Sequence, residues 1–276
     1  MIKWIAVLLM VIDHIGYYFG FLMPNPVFIV LRLIGRLSFP LFAYSIAVGF
    51  LRTKNRTRYF TRMFVFAAVT QALLAVTSYF TGIGAFINVM FTFSLAILLM
   101  ASSELLSKSL EAARKKNTSP AEENHRQSSV EIRGHEIPPA AAGATAVLSI
   151  LLILAAATYF EPDYSLFGVL TVYLFYYIQK KVRKPDLLLS ADSNAVSVMA
   201  MSFLGLNLIS ALFKYLQSTQ PVYWILLEIF SVFSIAFLLM DKPRKKPGSM
   251  EKYFFYAFYP LHLVLFMLLQ FYIMQR

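Results

Sequence analysis

Apolar and polar residues along this chain alternate on the scale of whole helices: long apolar runs are separated by short polar stretches, most of them basic. A hydrocarbon core of about 30 Å takes roughly twenty helical residues to cross. A helix is one of the few structures that satisfies its own backbone inside lipid. The pattern therefore predicts an all-α fold, a polytopic transmembrane helix bundle of about nine spans over 4–22, 27–50, 63–81, 86–103, 140–159, 165–178, 195–213, 222–240 and 253–273. The sixth is short, and Tyr173, Tyr176 and Tyr177 are expected at the membrane interface, where amphipathic rings are favoured. The one long polar stretch, 104–139, is rich in Glu, Lys, Ser and Asn and closes on Pro138-Pro139. Its first part, to Lys116, is expected to extend the fourth helix, and the rest reads as a solvated linker. With no internal repeat and no separate soluble stretch, residues 1–276 read as a single membrane domain carrying that loop.

Composition agrees with a chain made for lipid. It is 59% hydrophobic and 14% charged, too little polar surface for a soluble domain of 276 residues. A net charge of +11 would suit nucleic acid if the basic residues shared a solvated face. They instead cluster in alternate inter-span segments: Lys3, the Arg52–Arg62 group, Lys108–Arg133, Lys180–Lys184 and Lys242–Lys252. That segregation predicts a cytoplasmic N-terminus, a cytoplasmic loop 104–139 and an outer C-terminus, with Lys214 and Arg276 outside. Membrane lipid is the expected surrounding, and no nucleic-acid partner is expected. The absence of cysteine excludes disulfides, thiolate metal sites and cysteine nucleophiles. No metal set is expected, and His125 and His135, in the long loop, read as exposed. The first span lacks a small-x-small cleavage pattern and reads as retained.

Candidate chemistry comes from the ionisable residues inside the spans, since each costs about 2.5–3.5 kcal/mol to insert and so requires a partner or a wet cavity. They are Asp13 and His14, Arg32 and Arg36, Glu228, and His262. His14, Arg36 and His262 fall near the centres of the first, second and ninth spans, which predicts one internal site at a common depth. Lys3, Asp13, His14 and Tyr17 share one arc of the first helix, which is expected to face protein. Asp13 and His14 diverge as neighbours, so either is free to pair with Arg32 or Arg36, which share a face at i, i+4. Pro40 and Pro260 release the carbonyls of Arg36 and Tyr256 and are expected to kink their helices beside the site. Glu228 has no evident partner.

Three elements carry a family resemblance: Met10-Val11-Ile12-Asp13-His14, Arg32-x3-Arg36-x-Ser38-Phe39-Pro40, and Tyr259-Pro260-Leu261-His262. In this order they resemble the TraX family, the pilin-acetylating type within the membrane acyltransferase-3 superfamily. Ile87-Asn88-Val89 with Thr92, and Asp163-Tyr164 with Gly168, are also similar to family positions. Loop 241–250 lacks the Asn-Gly turn associated with the family, and loop 104–139 is longer than usual.

The resemblance implies an enzyme of the bacterial cytoplasmic membrane that moves an acetyl group from acetyl-CoA, a co-substrate and not a bound cofactor, to a pilin-like protein or a glycan. His14 is then the expected base, helped by Asp13, Arg36 and His262; His262 is a second base or a donor to the thioester carbonyl. Arg32, Arg36, Asn88 and Thr92 are expected to bind the co-substrate. The basic loop 51–62 would draw its anionic head to the cytosolic mouth. A proton-coupled or solute transporter would place Asp, His and Arg at the same depth and is the competing class.

Overall fold

The structure, a computed structural model, describes residues 2–118, 129–132, 135–182, 193–217, 227–238 and 249–276. Its main elements are α1 (Ile2–Phe19), α2 (Asn25–Gly35), α3 (Ser38–Arg52), α4 (Arg56–Thr81), α5 (Val89–Thr118), α6 (Pro139–Tyr159), α7 (Ser165–Val182), α8 (Ser193–Leu216), α9 (Leu227–Leu238) and α10 (Ser249–Met274). Large apolar side chains such as Leu8, Leu151, Leu152, Ile209, Phe213 and Leu261 are left exposed on the bundle's outside, as they must be where lipid is the solvent.

Seven helical segments among the described residues are long and apolar enough to cross a membrane: Ile2–Leu22, Asn25–Arg52, Arg56–Thr81, Val89–Lys115, Pro139–Tyr159, Asn194–Leu216 and Phe254–Met274. Seven of the nine expected spans thus correspond to such segments. The expected sixth is the helix α7, whose last turn carries Gln179, Lys180 and Lys181 and makes it too polar to qualify. Tyr176 is buried against protein, its hydroxyl donating to Glu104 at 3.0 Å. Tyr177 is the exposed ring of the group. Of the expected eighth span only the short α9 is described, with a 3-10 stretch at Phe230–Ser234; Trp224 lies outside the described residues.

The long loop departs further from expectation. α5 does run on through the basic turn, but a small antiparallel hairpin follows, β1 (Val130–Ile132) against β2 (His135–Ile137), pairing Val130 with Ile137. Val130 is buried with Ala112 of α5 and Ala142 of α6, so an apolar contact orders part of what composition alone marks as solvated. His125 and residues 133–134 lie outside the described residues, and of the His135 side chain nothing is described.

Helix ends follow from local chemistry. The Asn55 side chain accepts from the Arg58 N–H at 2.8 Å and caps α4, and Gly82, at φ 69°, ends it in the left-handed conformation that glycine adopts without strain. Beside Pro40 the helix is interrupted for two residues, Arg36 and Leu37, both still in the right-handed helical region. α2 stops at Gly35 and α3 begins at Ser38, which puts Pro40 in a first helical turn, where a missing N–H costs little. Pro260, by contrast, lies inside the unbroken α10.

The turns at 20–24, 82–88 and 160–164 gather at one end of the bundle, where the Asp163 N–H bonds the Ile87 carbonyl and Tyr17 meets Phe86, and the 53–55 turn and the hairpin lie toward the other, where Arg56 pairs with Glu104 of α5. The first three turns contain no lysine or arginine, while Arg52, Lys54, Arg56 and Arg58 crowd the second end. α1 packs on α2, α3 and α10, α5 on α4, α6 and α7, and α3 on α7, which encloses the α2–α3 break.

Candidate active site

Close approach of α1 and α2 assembles the site. A Cβ on Gly35 would stand 2.3 Å from the Asp13 side chain, and one on Gly16 3.2 Å from the Arg32 and Leu31 side chains, so these glycines let the two backbones meet. Gly35→Ala is therefore expected to lower stability by about 1–3 kcal/mol through overpacking. Thermal unfolding in detergent checks it; an unchanged midpoint would mean that Asp13 moves aside freely.

At that contact Arg32 Nη1 lies 2.8 Å from Asp13 Oδ1 and 3.3 Å from the Asp13 carbonyl. Both side chains are nearly inaccessible, and the carboxylate contact is an ion pair without the alignment of a hydrogen bond. The guanidinium also lies over the Tyr17 ring, 5.6 Å from its centre. Of the two pairings open to Asp13 by sequence, the fold selects Arg32. Tyr17 is half exposed, so the polar arc of α1 is less completely covered at its outer end than expected.

His14 reaches across to α10. Its Nδ1 is 2.7 Å from Nε2 of His262, and His262 Nδ1 is 2.8 Å from the Phe258 carbonyl oxygen. The two rings are nearly parallel, with centres 5.0 Å apart, and Phe258 stacks against His262. A carbonyl can only accept, so His262 Nδ1 must donate to it. In a neutral ring Nε2 then accepts, and the proton shared with His14 belongs to His14 Nδ1. The lone pair left on His14 is therefore at Nε2. A main-chain carbonyl thus fixes the tautomers of two imidazoles in series.

His14 and Arg36 line one cavity of about 210 Å³ together with Asp13, Tyr17, Arg32, Asp163, Tyr164 and Tyr259, walled by Phe39, Phe42, Phe86 and Phe93. His262 stands behind His14 and is not part of the lining. Arg36 meets the Tyr164 hydroxyl, and its buried Nε has no partner among the described residues.

Asp163 and Tyr164, matched by sequence to family positions but given no role, belong to the wall. The turn that carries them has positive φ at Glu161, Tyr164 and Ser165, at 45°, 65° and 43°, uncommon for residues other than glycine. It is fastened on several sides. The Asp163 N–H donates to the Ile87 carbonyl at 2.8 Å, Thr92 Oγ1 donates to the Asp163 carbonyl at 2.5 Å, and the Tyr164 ring stacks 3.8 Å from that of Phe39. Gly168 admits this packing, since a Cβ there would meet Thr92 and Tyr164 at 2.7 Å.

Asn88 and Thr92 are not brought to the cavity lining. Asn88 precedes α5 instead of lying on it: its Oδ1 accepts from the Met90 N–H at 3.1 Å, and its Nδ2 donates to the Ala67 carbonyl and to Gln71 Oε1, at 3.0 and 2.9 Å. Thr92 supports the Asp163 turn from behind. Glu228 does have a partner, Lys214 Nζ, at 2.5 and 2.6 Å, which together with Ser231 Oγ donating to Asn207 Oδ1 at 3.2 Å makes a polar seam between α8 and α9.

A seven-span set of apolar helices around an imidazole, guanidinium and carboxylate cavity defines a multi-pass membrane protein with an internal polar site. The family model described as TraX protein matches residues 1–270, and the chain belongs to the TraX family. No curated protein and no solved structure matches the chain.

Proposed function

We propose that the protein is a membrane-embedded acetyltransferase that moves an acetyl group from acetyl-CoA to an acceptor at the membrane, with His14 as the base. The TraX family is associated with pilin acetylation, which favours a protein N-terminus over a glycan as the acceptor. The observation that carries the reading is the chain of contacts from the Phe258 carbonyl through His262 to His14, which leaves one unprotonated imidazole nitrogen at Nε2. Acyl transfer requires a base for the attacking group's proton and donors for the oxyanion. His14 supplies the first, and the guanidinium of Arg36, whose buried Nε has no partner among the described residues, the second. Asp13 and Arg32 neutralise each other and set the register of α1 on α2.

A cavity of about 210 Å³ suits the acetyl thioester end of the donor better than its nucleotide. The nucleotide then stays at the basic end, which the distribution of Arg52, Lys54, Arg56 and Arg58 assigns to the cytosol. There Arg62 lies over the rings of Tyr59 and Tyr256, 5.8 Å from each, with a buried Nε that has no partner among the described residues. It is a suitable contact for a phosphate.

Purified protein in liposomes tests the reading. Acetyl-CoA consumption that stops in His14→Ala is the expected result; solute flux without acetyl-CoA consumption would make the protein a carrier. His262→Phe removes the acceptor for His14 Nδ1 and frees the wrong tautomer, so the rate is expected to fall by at least about 10²-fold, the lower end of the contribution of a positioned base. His262→Gln, whose Oε1 accepts from His14 Nδ1, should restore part of it; equal loss in both variants would reduce His262 to packing.

A further inference from the structure

Asp163 is not needed as a base while His14 fills that role, yet the fold goes to some length to put it at the cavity. The turn at 160–165 comes from the end of the bundle opposite the basic cluster, and so do Phe86 and Val89, which line the same cavity. No residue of the 53–55 turn does. The site is thus built against the end whose turns carry no lysine or arginine, and Asp163 is the acidic residue those turns contribute to its wall. Its main chain is pinned on both sides, N–H to Ile87 and C=O to Thr92, in a turn with three positive φ angles. Such strain persists only where surrounding packing enforces it, and it gathers at ligand-binding positions.

Among the other charges of the cavity, Asp13 pairs with Arg32, while Arg36 meets the Tyr164 hydroxyl, keeps a buried Nε without a partner among the described residues, and acts on Asp163 electrostatically. The Asp163 carboxylate receives a backbone N–H from Tyr164, and a carboxylate has about four lone-pair positions, so it keeps acceptor capacity toward the cavity. An ammonium group, with three donors and a positive charge, complements that capacity; a hydroxyl, with one donor and no charge, does so poorly.

We propose that Asp163 is the acceptor-binding group of this site: its carboxylate receives the protonated primary amine of the acceptor, entering from the 160–165 end, and takes its first proton. The proposal rests on the acetyl-transfer reading. In the balanced step, the ammonium gives one proton to Asp163, and the freed amine attacks the thioester carbonyl. The N–C bond forms and the C–S bond breaks, and His14 Nε2 takes the second proton from nitrogen and returns it to the departing sulfur. The products are an amide and a thiol, with one proton released from Asp163. Burial, opposed by Arg36, lifts the Asp163 carboxyl to about 6, which suits a group that gains and loses a proton near neutrality.

The test uses two probes that differ in one group, a glycine-leading tripeptide amide and the same peptide with hydroxyacetyl in place of glycine. Binding of each to the purified full chain is measured by calorimetry at pH 7.5, without acetyl-CoA. The wild-type protein is expected to prefer the amine by about tenfold or more. Asp163→Asn should abolish the preference, while Asp163→Glu should keep part of it. Equal binding of the two probes by the wild type, or an unchanged preference in Asp163→Asn, would overturn the proposal. The wild-type comparison stands even if Asp163→Asn does not fold. An amine preference without acetyl-CoA consumption would instead sink the acetyltransferase reading and leave the amine site.

Discussion

His14→Gln is expected to lower acetyl transfer by about 10³-fold, the middle of the range for loss of a general base. The substitution is chosen because its side-chain amide can still donate to His262 Nε2, which lies 2.7 Å from His14 Nδ1 in the native site. The link to α10 is then retained while the basic nitrogen is lost. The loss should fall on kcat and on kcat/KM alike, because the proton is taken only in the transition state. Steady-state rates at varied acetyl-CoA measure it, and a variant retaining more than a tenth of the native kcat would remove His14 from the base's role. The opposite pattern, a raised KM with kcat intact, would make His14 a binding group.

The second large effect is on stability. Arg32→Met leaves the Asp13 carboxylate buried against Gly35 without its ion-pair partner, a change that costs about 3–5 kcal/mol where such pairs have been broken singly. Asp13→Asn combined with Arg32→Met removes both charges and should recover most of that loss, since the pair's net contribution is small compared with the penalty for stranding one member. Unfolding of the single and double variants in the same detergent gives the comparison. If the double variant is no more stable than Arg32→Met alone, the pair acts through packing and not through charge, and Arg36 compensates Asp13 in the single variant.

Much of the site could be read before any coordinates. Depth along a helix is linear in residue number, so a shared site for His14, Arg36 and His262 was to be expected from where they stand in their spans, and the fold joins His14 to His262 and lines one cavity with His14 and Arg36. Asp163 and Tyr164 were legible only as matches to family positions. A short polar turn between two apolar runs gives the same signal whether it lies in water or folds back against the bundle, and what decides is contact with Ile87, Thr92 and Phe39, distant in sequence. The same blindness hid the partner of Glu228, because Lys214 sits on another helix. It also hid the hairpin, which depends on Val130 finding Ala112 and Ala142.

Sequence by itself determined that the chain lives in lipid, that its helices carry costly polar groups, and at what height along each helix those groups stand, because transfer free energy and helix rise are local properties of a segment. Only the tertiary structure decided which groups touch. The choice of Arg32 over Arg36 for Asp13, the tautomers of His14 and His262, and the exclusion of Asn88 and Thr92 from the cavity wall all depend on the rotation and approach of separate helices. Those are set by packing at glycines 16, 35 and 168 and by the break after Gly35, which no periodicity along one helix can specify.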